Sequence, residues 1–445
     1  MSKMFKTAAV IIAALLVFTI ISCENNASTS EPTVYTVTFD SDGGSNVESQ
    51  NVQEGNTARK PDAPAKIGYM FEGWYYGNTA FNFAEKITEN KTLKAKWRLI
   101  EYTITYIGIE DAVNSNPTSY TIESDDIVLQ DAVKSNCSFY YWECKTEFRG
   151  IGTIGSSHVS YKYPNGDRIT KIAKGSYGDI TLKAWWSYPP NGNYTEGEII
   201  SFGSFPQSKK ADEITVDRND YKDTGYFRYY KGSDGEWYVY SGEYYKVEPI
   251  KWKVITTNYN GSGKTLLLAE NIISFCPYYA DYTRTIDSIT IYNNNYKHSE
   301  IRAYLNGLSY ITKASENDEQ KISDNWLNKG FLQTAFNEEE QAKIAVTDVD
   351  NSSKSYACED TLDKLFLLSN LELEDPEYGF ACKIFDDTQI REYTDFANTE
   401  YLAIFWWLRT PDNEDDKKSY AVLQNFYKEW ESSAKLGVVP ALCLD

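Results

Sequence analysis

The feature that most constrains the fold is an internal repeat in the first half of the chain. The first copy opens with Tyr35-Thr-Val-Thr-Phe39 and closes with Thr92-Leu-Lys-Ala-Lys-Trp97. The second copy opens with Tyr102-Thr-Ile-Thr-Tyr106 and closes with Thr181-Leu-Lys-Ala-Trp-Trp186. Apolar and polar residues alternate in these segments, which indicates strands with one buried face. Because a recurring segment is usually one structural unit, the sequence predicts two small β-rich domains in tandem.

An aromatic pair lies at nearly the same distance from the opening strand in each copy. The pair is Phe71 and Trp74 in the first copy, and Phe139 and Trp142 in the second. Side chains of this size bury about 150–250 Å² each, so the pair supplies much of the core of a small unit. The stretch between the tryptophan and the closing strand is longer in the second copy, which predicts an insertion around residues 150–167.

The first copy resembles the internalin-type B repeat of bacterial envelope proteins, the Listeria–Bacteroides type. The matching segments are Val37-Thr-Phe-Asp-Ser-Asp-Gly-Gly44, Gly68-Tyr-Met-Phe-Glu-Gly-Trp-Tyr75 and Leu93-Lys-Ala-Lys-Trp97. The resemblance implies a small β-grasp-like fold for residues 34–98 and for the divergent copy at residues 101–187. It also implies a place in stalks or adhesive arrays of surface proteins, with no chemistry of its own.

The beginning of the chain has the features of an export signal. Lys3 and Lys6 precede an apolar run from Ala8 to Ile21. This pattern is typical of a secretory signal peptide, and the run is shorter than the ~20 residues of a membrane-spanning helix. Ile20-Ile-Ser-Cys23 resembles the lipobox of bacterial lipoproteins. That resemblance implies removal of residues 1–22 and a lipid on Cys23; the alternative is an ordinary signal peptide with a chance cysteine.

The chain after the signal is acidic, and this limits its partners. Residues 23–33 are small and polar, which is typical of a flexible tether. The formal charge of −20 comes from 44 basic and 64 acidic residues. Such a chain is repelled by nucleic acid and by anionic lipid headgroups. The sequence therefore excludes nucleic-acid binding and predicts envelope localisation, with the membrane reached through the lipid.

Seven cysteines leave the redox state open. With Cys23 lipidated, six remain, and an exported compartment permits disulfides. No dense disulfide framework is visible, so buried free thiols are favoured over bridges. Cys137 and Cys144 flank the second aromatic pair. A bridge between them needs a turn, because seven extended residues span about 23 Å, and both states stay open.

The rest of the chain predicts a larger domain. Two prolines and Asn191-Gly192 make residues 188–196 a solvated linker and the best domain boundary. In residues 197–445, short β-like segments precede helical segments that Ser299 and Asn337 can cap, and strands return at the end. Strands, then helices, then strands indicate an α+β head. The predicted fold class is multidomain and β-rich: two small β-grasp-like repeats plus a larger α+β domain.

The head resembles an uncharacterised bacterial domain with no activity to carry over. The resemblance rests on Ile200-Ser-Phe-Gly-Ser-Phe-Pro-Gln207, Val247-Glu-Pro-Ile-Lys-Trp252, Ser299-Glu-Ile-Arg-Ala-Tyr-Leu-Asn306, Asp363-Lys-Leu-Phe-Leu-Leu-Ser369, Trp406-Trp-Leu-Arg-Thr-Pro411 and Val438-Val-Pro-Ala-Leu442. The last two motifs also look like the C-type-lectin-like scaffold of the formylglycine-generating type. This sequence departs from the copper-binding cysteine pair that the scaffold implies, since Cys382 and Cys443 each lack a nearby cysteine.

The motifs of metal sites and enzymes are missing. Two histidines cannot build a three-histidine site, and no CxxC or HExxH occurs, so the sequence predicts neither a metal nor a cofactor. Gly261-Ser-Gly-Lys-Thr265 has Asn258 where a phosphate loop needs glycine, which favours a tight turn. The acidic segment 412–416 lacks the spacing of a calcium loop. We therefore predict that the protein is not an enzyme.

Aromatic and basic residues of the head suggest a ligand surface, because aromatic faces stack on sugars and hold cations. The predicted surface residues are Tyr229, Tyr230, Trp237, Tyr240, Trp407 and Arg409. Neighbouring strand residues face opposite ways, so one of Trp406 and Trp407 is expected in the core. The predicted function is an anchored, non-enzymatic binding or adhesion protein with a glycan or protein ligand. The alternatives are an envelope enzyme with unidentified carboxylates and a self-associating spacer.

Overall fold

The computed structural model describes most of the chain after the tether. The described residues are 31–154, 157–163, 167–224, 226–279, 283–286, 288–312, 321–351, 359–378, 380, 392–397, 405–412, 414–423 and 426–445. Strands account for 47% of the residues and helices for 9%, and the strands form several sheets. This confirms the predicted β-rich, multidomain fold class. The predicted signal peptide and Cys23 lie outside the described residues.

The first repeat is a five-stranded mixed sheet. Its strands are β1 (Val34–Asp40), β2 (Gln50–Gln53), β3 (Tyr69–Tyr76), β4 (Thr79–Ala80) and β5 (Lys91–Leu99). The order is β2-β1-β5-β3-β4, with β1 and β5 parallel at the centre. One face is buried, as the alternation predicts, and Trp74 is 3% exposed against it. Phe71 contacts both Trp74 and Trp97 edge to face.

The second repeat has the same central arrangement with more strands. Its strands are β6 (Tyr102–Ile107), β7 (Ser119–Tyr120), β8 (Ile127–Val128), β9 (Ser138–Cys144), β10 (Phe148–Ile154), β11 (Ser157–Tyr163), β12 (Arg168–Ile169), β13 (Lys171–Ile172), β14 (Ser176–Tyr177) and β15 (Ile180–Tyr188). Opening strand β6 and closing strand β15 are parallel, and β9 pairs antiparallel with β15. The segment around residues 150–167 contributes the hairpin of β10 and β11.

The two repeats pack directly on each other. Gly68 has φ +80°, a conformation that favours glycine, and a Cβ there would lie 2.5 Å from Ile122 Cγ2. Next to it, the Tyr69 hydroxyl donates to a carboxylate oxygen of Glu123 at 2.5 Å. That hydrogen bond raises the pKa of Tyr69 to about 12. The glycine of the repeat motif is therefore also what lets the second repeat approach.

The head contains nineteen of the described strands and four short helices. Its strands are β16 (Ile199–Lys209), β17 (Val216–Asp223), β18 (Arg228–Gly232), β19 (Trp237–Ser241), β20 (Glu243–Thr256), β21 (Thr265–Ala269), β22 (Ser274–Pro277), β23 (Arg284–Ile286), β24 (Ile289–Ile291), β25 (Tyr310–Thr312), β26 (Lys321–Ser323), β27 (Thr347–Val349), β28 (Thr361–Asp363), β29 (Leu365–Phe366), β30 (Phe405–Pro411), β31 (Lys418–Leu423), β32 (Phe426–Glu431), β33 (Lys435–Val438) and β34 (Ala441–Leu444). Its α-helices are α1 (Glu300–Asn306), α2 (Phe331–Ala335), α3 (Glu338–Lys343) and α4 (Asn370–Glu374), and 3-10 turns lie at Tyr259–Gly261, Tyr296–His298 and Pro376–Tyr378.

Local sequence explains where the helices begin. The Ser299 hydroxyl accepts from the backbone N–H of Arg302, which satisfies a free donor at the start of α1. The Asn337 and Glu340 side chains cap each other's backbone at the start of α3. Both caps confirm the sequence prediction. The helices pack beside the sheets and leave strands as the main frame of the head.

One sheet runs from the second repeat into the head. The end of β15 pairs in parallel with the start of β16. Ser187 is the partner of Ile199, and Tyr188 is the partner of Ile200. Lys251 of β20 reinforces the junction, because its ammonium donates to the hydroxyls of Ser187 at 2.7 Å and Ser201 at 2.6 Å. Desolvation lowers the pKa of Lys251. The predicted linker therefore connects two strands of a continuous sheet.

Candidate ligand-binding surface

An antiparallel meander at one end of this sheet carries the exposed aromatic residues. It consists of β17, β18, β19 and β20, each hydrogen-bonded to the next. Directly opposite residues of neighbouring strands share a face. Tyr221 is opposite Tyr230, and Tyr240 is opposite Tyr244. We call these four residues, with Arg218 and Arg228, the tyrosine face.

The four rings of the tyrosine face follow one another in a row. Tyr221 and Tyr230 have ring centroids 6.3 Å apart, Tyr230 and Tyr244 are 6.0 Å apart, and Tyr244 and Tyr240 are 5.0 Å apart. The two outer rings are the most accessible, with Tyr221 48% and Tyr240 51% exposed. A ring kept half in water on a folded sheet is a ready contact for a flat apolar surface.

Two arginines hold these rings in place. The Arg218 Nε donates to the Tyr244 hydroxyl at 2.8 Å, and its guanidinium lies 5.4 Å from the Tyr240 centroid. Arg228 lies 4.3 Å from the Tyr221 centroid and donates to both carboxylate oxygens of Asp223, at 2.7 and 3.2 Å. These contacts reduce the freedom of the rings before any ligand arrives, which lowers the entropy cost of binding.

The other side of the meander is mostly core. Tyr229 is 6% exposed and sits opposite Val239, so it is a core residue and not part of the predicted ligand surface. Burial raises its pKa to about 12. Trp237 also lies on that side, half-buried, with the ammonium groups of Lys222 and Lys231 each 4.5 Å from its ring. Of the predicted hairpin residues, only Tyr230 and Tyr240 belong to the tyrosine face.

Trp407 and Arg409 lie in the interior of the head, so the prediction that they belong to a ligand surface is wrong. Trp406 and Trp407 are 1% and 0% exposed, so the expectation that one of them faces outward is wrong. Both faces of β30 are covered, and strand alternation then places each neighbour in a buried layer. The Trp407 indole N–H donates to the Cys276 carbonyl at 2.9 Å. These residues do not join the hairpin tyrosines in one surface.

Arg409 belongs to a buried polar cluster. It is 4% exposed and donates to both carboxylate oxygens of Glu372, at 2.5 and 3.0 Å. The Tyr259 hydroxyl also donates to Glu372, and a further guanidinium N–H reaches the Leu367 carbonyl at 2.7 Å. Burial alone would raise the pKa of Glu372, but Arg409 and the hydrogen bonds outweigh it and lower that pKa. The cluster is internally satisfied, which is typical of a structural role.

The remaining predicted sites give no ligand pattern. Cys137 and Cys144 are free thiols, and the Cys144 thiol donates to the Thr146 carbonyl at 2.8 Å. The segment 261–265 is a turn between β20 and β21, as predicted, and not a phosphate loop. Within the described part of the chain, no three His, Cys, Asp or Glu side chains group as metal ligands do. Cys358 and Cys382 lie outside that part.

Sequence reasoning missed four members of the tyrosine face, which are Tyr221, Tyr244, Arg218 and Arg228, and the partners of Arg409. Tyr221, Tyr244 and Arg218 lie on flanking strands, and their common face depends on the strand register. The alternation of Tyr with polar residues is visible in sequence, but a bulge between Asp217 and Tyr221 shifts the register of β17. Ser369 is a typical helix-capping residue three positions before Glu372, so the sequence indicates the start of α4. It does not indicate that the Glu372 carboxylate is buried.

Two family profiles match parts of the chain. The Listeria-Bacteroides repeat domain matches residues 35–96, and a domain of unknown function, DUF6273, matches residues 262–445. The first match confirms the resemblance of the first repeat, and the second confirms the resemblance of the head over residues 262–445, which leaves the motifs at 200–207 and 247–252 outside the matched segment. The second profile starts after β16 to β20, so the tyrosine face lies before the matched segment. Over these two segments the chain is similar to a repeat domain and to a domain of unknown function.

Two proteins of Evansella cellulosilytica resemble a short part of the chain. They are provisionally named a Gly-rich membrane protein, 39% identical, and a membrane protein, 40% identical, each over 80 residues. The match covers 17% of this chain in both cases, and 9% and 12% of the two relatives. No solved structure matches the chain. In the residues that the structure describes, no helix is long and apolar enough to cross a membrane.

Proposed function

We propose that this protein is a lipid-anchored envelope protein whose head binds a polysaccharide through the tyrosine face. The observation that carries the binding proposal is the row of four contacting tyrosines on one open face of the meander. Polysaccharide chains carry several C–H surfaces, and four neighbouring rings inclined to one another by 54°, 90° and 58° offer contacts in more than one orientation to one chain. Several weak contacts on one polymer add in avidity.

Charge favours a polymer without acidic groups. The whole chain carries a formal charge of −20, which repels polyanions. On the tyrosine face, Arg228 is already paired with Asp223, and Arg218 bonds Tyr244. Neither arginine is placed as an open anion site. A neutral polysaccharide of the cell envelope or of a host surface is therefore the preferred ligand.

The proposed arrangement places the head at the end of a short stalk. The repeat domain is a type found in surface proteins, and the relatives carry membrane names, which supports envelope association. Cys23 would carry the lipid, and residues 23–33 would separate it from the first repeat. The proposal assigns no catalysis to the head. The C-type-lectin-like scaffold stays a prediction.

The binding proposal is tested by retention on insoluble polysaccharides. The full mature chain is incubated with cellulose, chitin and peptidoglycan sacculi, and the bound fraction is measured. The triple variant Tyr230→Ala/Tyr240→Ala/Tyr244→Ala is expected to lose retention on the polymer that the natural chain binds. The matched control is Tyr76→Ala, an exposed tyrosine of the first repeat, which should bind normally. Equal retention of the triple variant would refute the role of this face.

The anchor is tested separately in the producing bacterium. Mass spectrometry of the natural protein should show a diacylglyceryl-modified Cys23 at the mature N-terminus. Cys23→Ser should move the protein from the detergent phase to the aqueous phase. An unmodified thiol on the natural protein would refute lipid anchoring without affecting the binding proposal.

A further inference from the structure

A cleft of about 330 Å³ lies between the core-facing side of the meander and the rest of the head. Tyr226, Phe227 and Ser241 line it from the meander, and Ser274 and Tyr304 line it from β22 and α1. Its volume is at the lower end of small-molecule sites, which hold about 300–1,000 Å³. The cleft is separate from the tyrosine face, which is on the opposite side of the same strands.

Packed aromatic rings form one wall of the cleft. Phe227 contacts Phe205 and Phe396 edge to face, each with centroids 5.7 Å apart, and Tyr226 with centroids 4.6 Å apart. Phe205 is 1% exposed, whereas Tyr226 is 41% exposed. Tyr226 also contacts Trp326 at 5.7 Å, so its ring is held from two sides. The wall therefore offers one accessible ring on a rigid support.

Hydroxyl groups form the polar part of the cleft. The Tyr304 hydroxyl donates to Ser274 Oγ at 2.8 Å, and Tyr304 is 4% exposed. Burial raises the pKa of Tyr304, so it stays a donor at physiological pH. A serine hydroxyl that accepts this bond can still donate its own proton, and the tyrosine oxygen can still accept. Ser241 adds a third hydroxyl to the lining.

We propose that this cleft binds a single neutral pyranose unit, such as the end or a branch of a glycan. The Tyr226 ring would cover the C–H face of the sugar, and the hydroxyls of Ser241, Ser274 and Tyr304 would exchange hydrogen bonds with its hydroxyls. Among the described residues, no aspartate or glutamate lines the cleft, so nothing in the lining calls for a cationic ligand, and its one charged residue, Lys435, is exposed to solvent. The inference shares with the proposed function only the assignment of a glycan ligand.

The ligand class follows from the combination of wall and hydroxyls. A purely apolar ligand would make no hydrogen bond to Ser241, or to the Ser274 and Tyr304 hydroxyls, which bond each other and keep further capacity. An acyclic polyol could satisfy the hydroxyls but has no flat face for Tyr226. A pyranose has both an apolar face and a rim of hydroxyls, so it can contact the Tyr226 ring and the hydroxyls of the lining together.

The test measures binding of free sugars to the full mature chain. Saturation-transfer NMR and calorimetry are run with glucose, galactose, mannose and N-acetylglucosamine, and with sorbitol as an acyclic control. At least one of the four sugars should bind, and sorbitol should not. Tyr226→Ala should weaken binding about tenfold, which corresponds to about 1.4 kcal/mol. Tyr226→Phe should keep most of the affinity, because it keeps the ring.

Tyr76→Ala is the matched control, since it removes an exposed tyrosine of the first repeat that belongs neither to the cleft nor to the tyrosine face. It should leave sugar binding unchanged, and thermal melting should show that both alanine variants are folded. The proposal is overturned if none of the four sugars binds, if sorbitol binds as well as they do, or if Tyr226→Ala has no effect. These results are independent of retention on insoluble polymers, so the tyrosine face and the cleft fail or succeed separately.

Discussion

Arginine and tyrosine meet in the head in two contrasting places, once in water and once in the interior. On the surface, Arg218 donates to the Tyr244 hydroxyl beside the half-exposed ring of Tyr240. In the interior, Arg409 and the Tyr259 hydroxyl both donate to Glu372. The same residue types thus form an adaptable surface in one place and a fixed structural cluster in the other.

The difference between the two places is the cost of leaving a group without its partner. On the tyrosine face, water replaces a lost hydrogen bond, and exposed contacts contribute little to stability. Around Glu372, water does not replace it, and an unpaired buried charge is expensive. The surface residues are therefore free to change for binding, whereas the interior residues are constrained by folding.

The largest expected effect comes from removing the buried cation. Arg409→Met leaves the Glu372 carboxylate buried without its charge partner, which typically costs about 3–5 kcal/mol. Urea denaturation of the full chain measures the change in the free energy of unfolding. Arg409→Met/Glu372→Gln removes both charges and should recover part of the loss. If the single variant is as stable as the natural chain, the cluster has no structural role.

A matched pair of tyrosine variants compares the two places directly. Tyr259→Phe removes one donor to buried Glu372, and leaving a buried acceptor short of a partner costs about 1–3 kcal/mol. Tyr244→Phe removes the hydroxyl that Arg218 contacts in water, and surface changes of this kind stay within about 0.5 kcal/mol. Denaturation of both variants measures the difference. Equal losses would show that burial is not what separates the two clusters.

His298 is a position at which the stability of the head should depend on pH, and it lies near Arg284 and Arg302. Burial and the nearby charges of Arg284, Lys297 and Arg302 lower its pKa from 6.5 to about 4. The unfolded chain then takes up a proton between pH 6.5 and 4 that the folded chain does not, so stability falls as the pH drops through this window. The melting temperature of His298→Asn should fall less between pH 6.5 and 4 than that of the natural chain. Parallel curves would contradict the assignment.

Much of the fold could be predicted from local sequence, because its signals are local. The alternation in the repeats and the caps at Ser299 and Asn337 depend on neighbouring residues, and the structure places strands and helices there. The pairing of β15 with β16 could not be predicted, since Pro189 and Pro190 indicate a break whichever strands lie on either side. A proline pair predicts a break in regular structure, but it gives no information about contacts between the segments on either side.

The site was harder to predict, because burial depends on long-range packing. Trp407 and Arg409 have the composition of a ligand surface, but both faces of β30 are covered by segments distant in sequence. Glu372 is 37 residues from Arg409, and Tyr259 is 113 residues from Glu372. The residues of the tyrosine face are instead close in sequence, and the register of three short turns decides which of them share a face.

The smallest expected effect on stability comes from the tyrosine face itself, and it sharpens the comparison most. Tyr221→Ala/Tyr240→Ala removes two half-exposed rings, and exposed positions usually change stability by no more than about 0.5 kcal/mol each. The free energy of unfolding should therefore stay close to that of the natural chain, while retention on the bound polysaccharide falls. Trp407→Ala is the contrasting variant, because loss of a fully buried tryptophan costs about 3–5 kcal/mol. A large loss of stability in the double tyrosine variant would mean that these rings serve folding, and that the face is a structural surface.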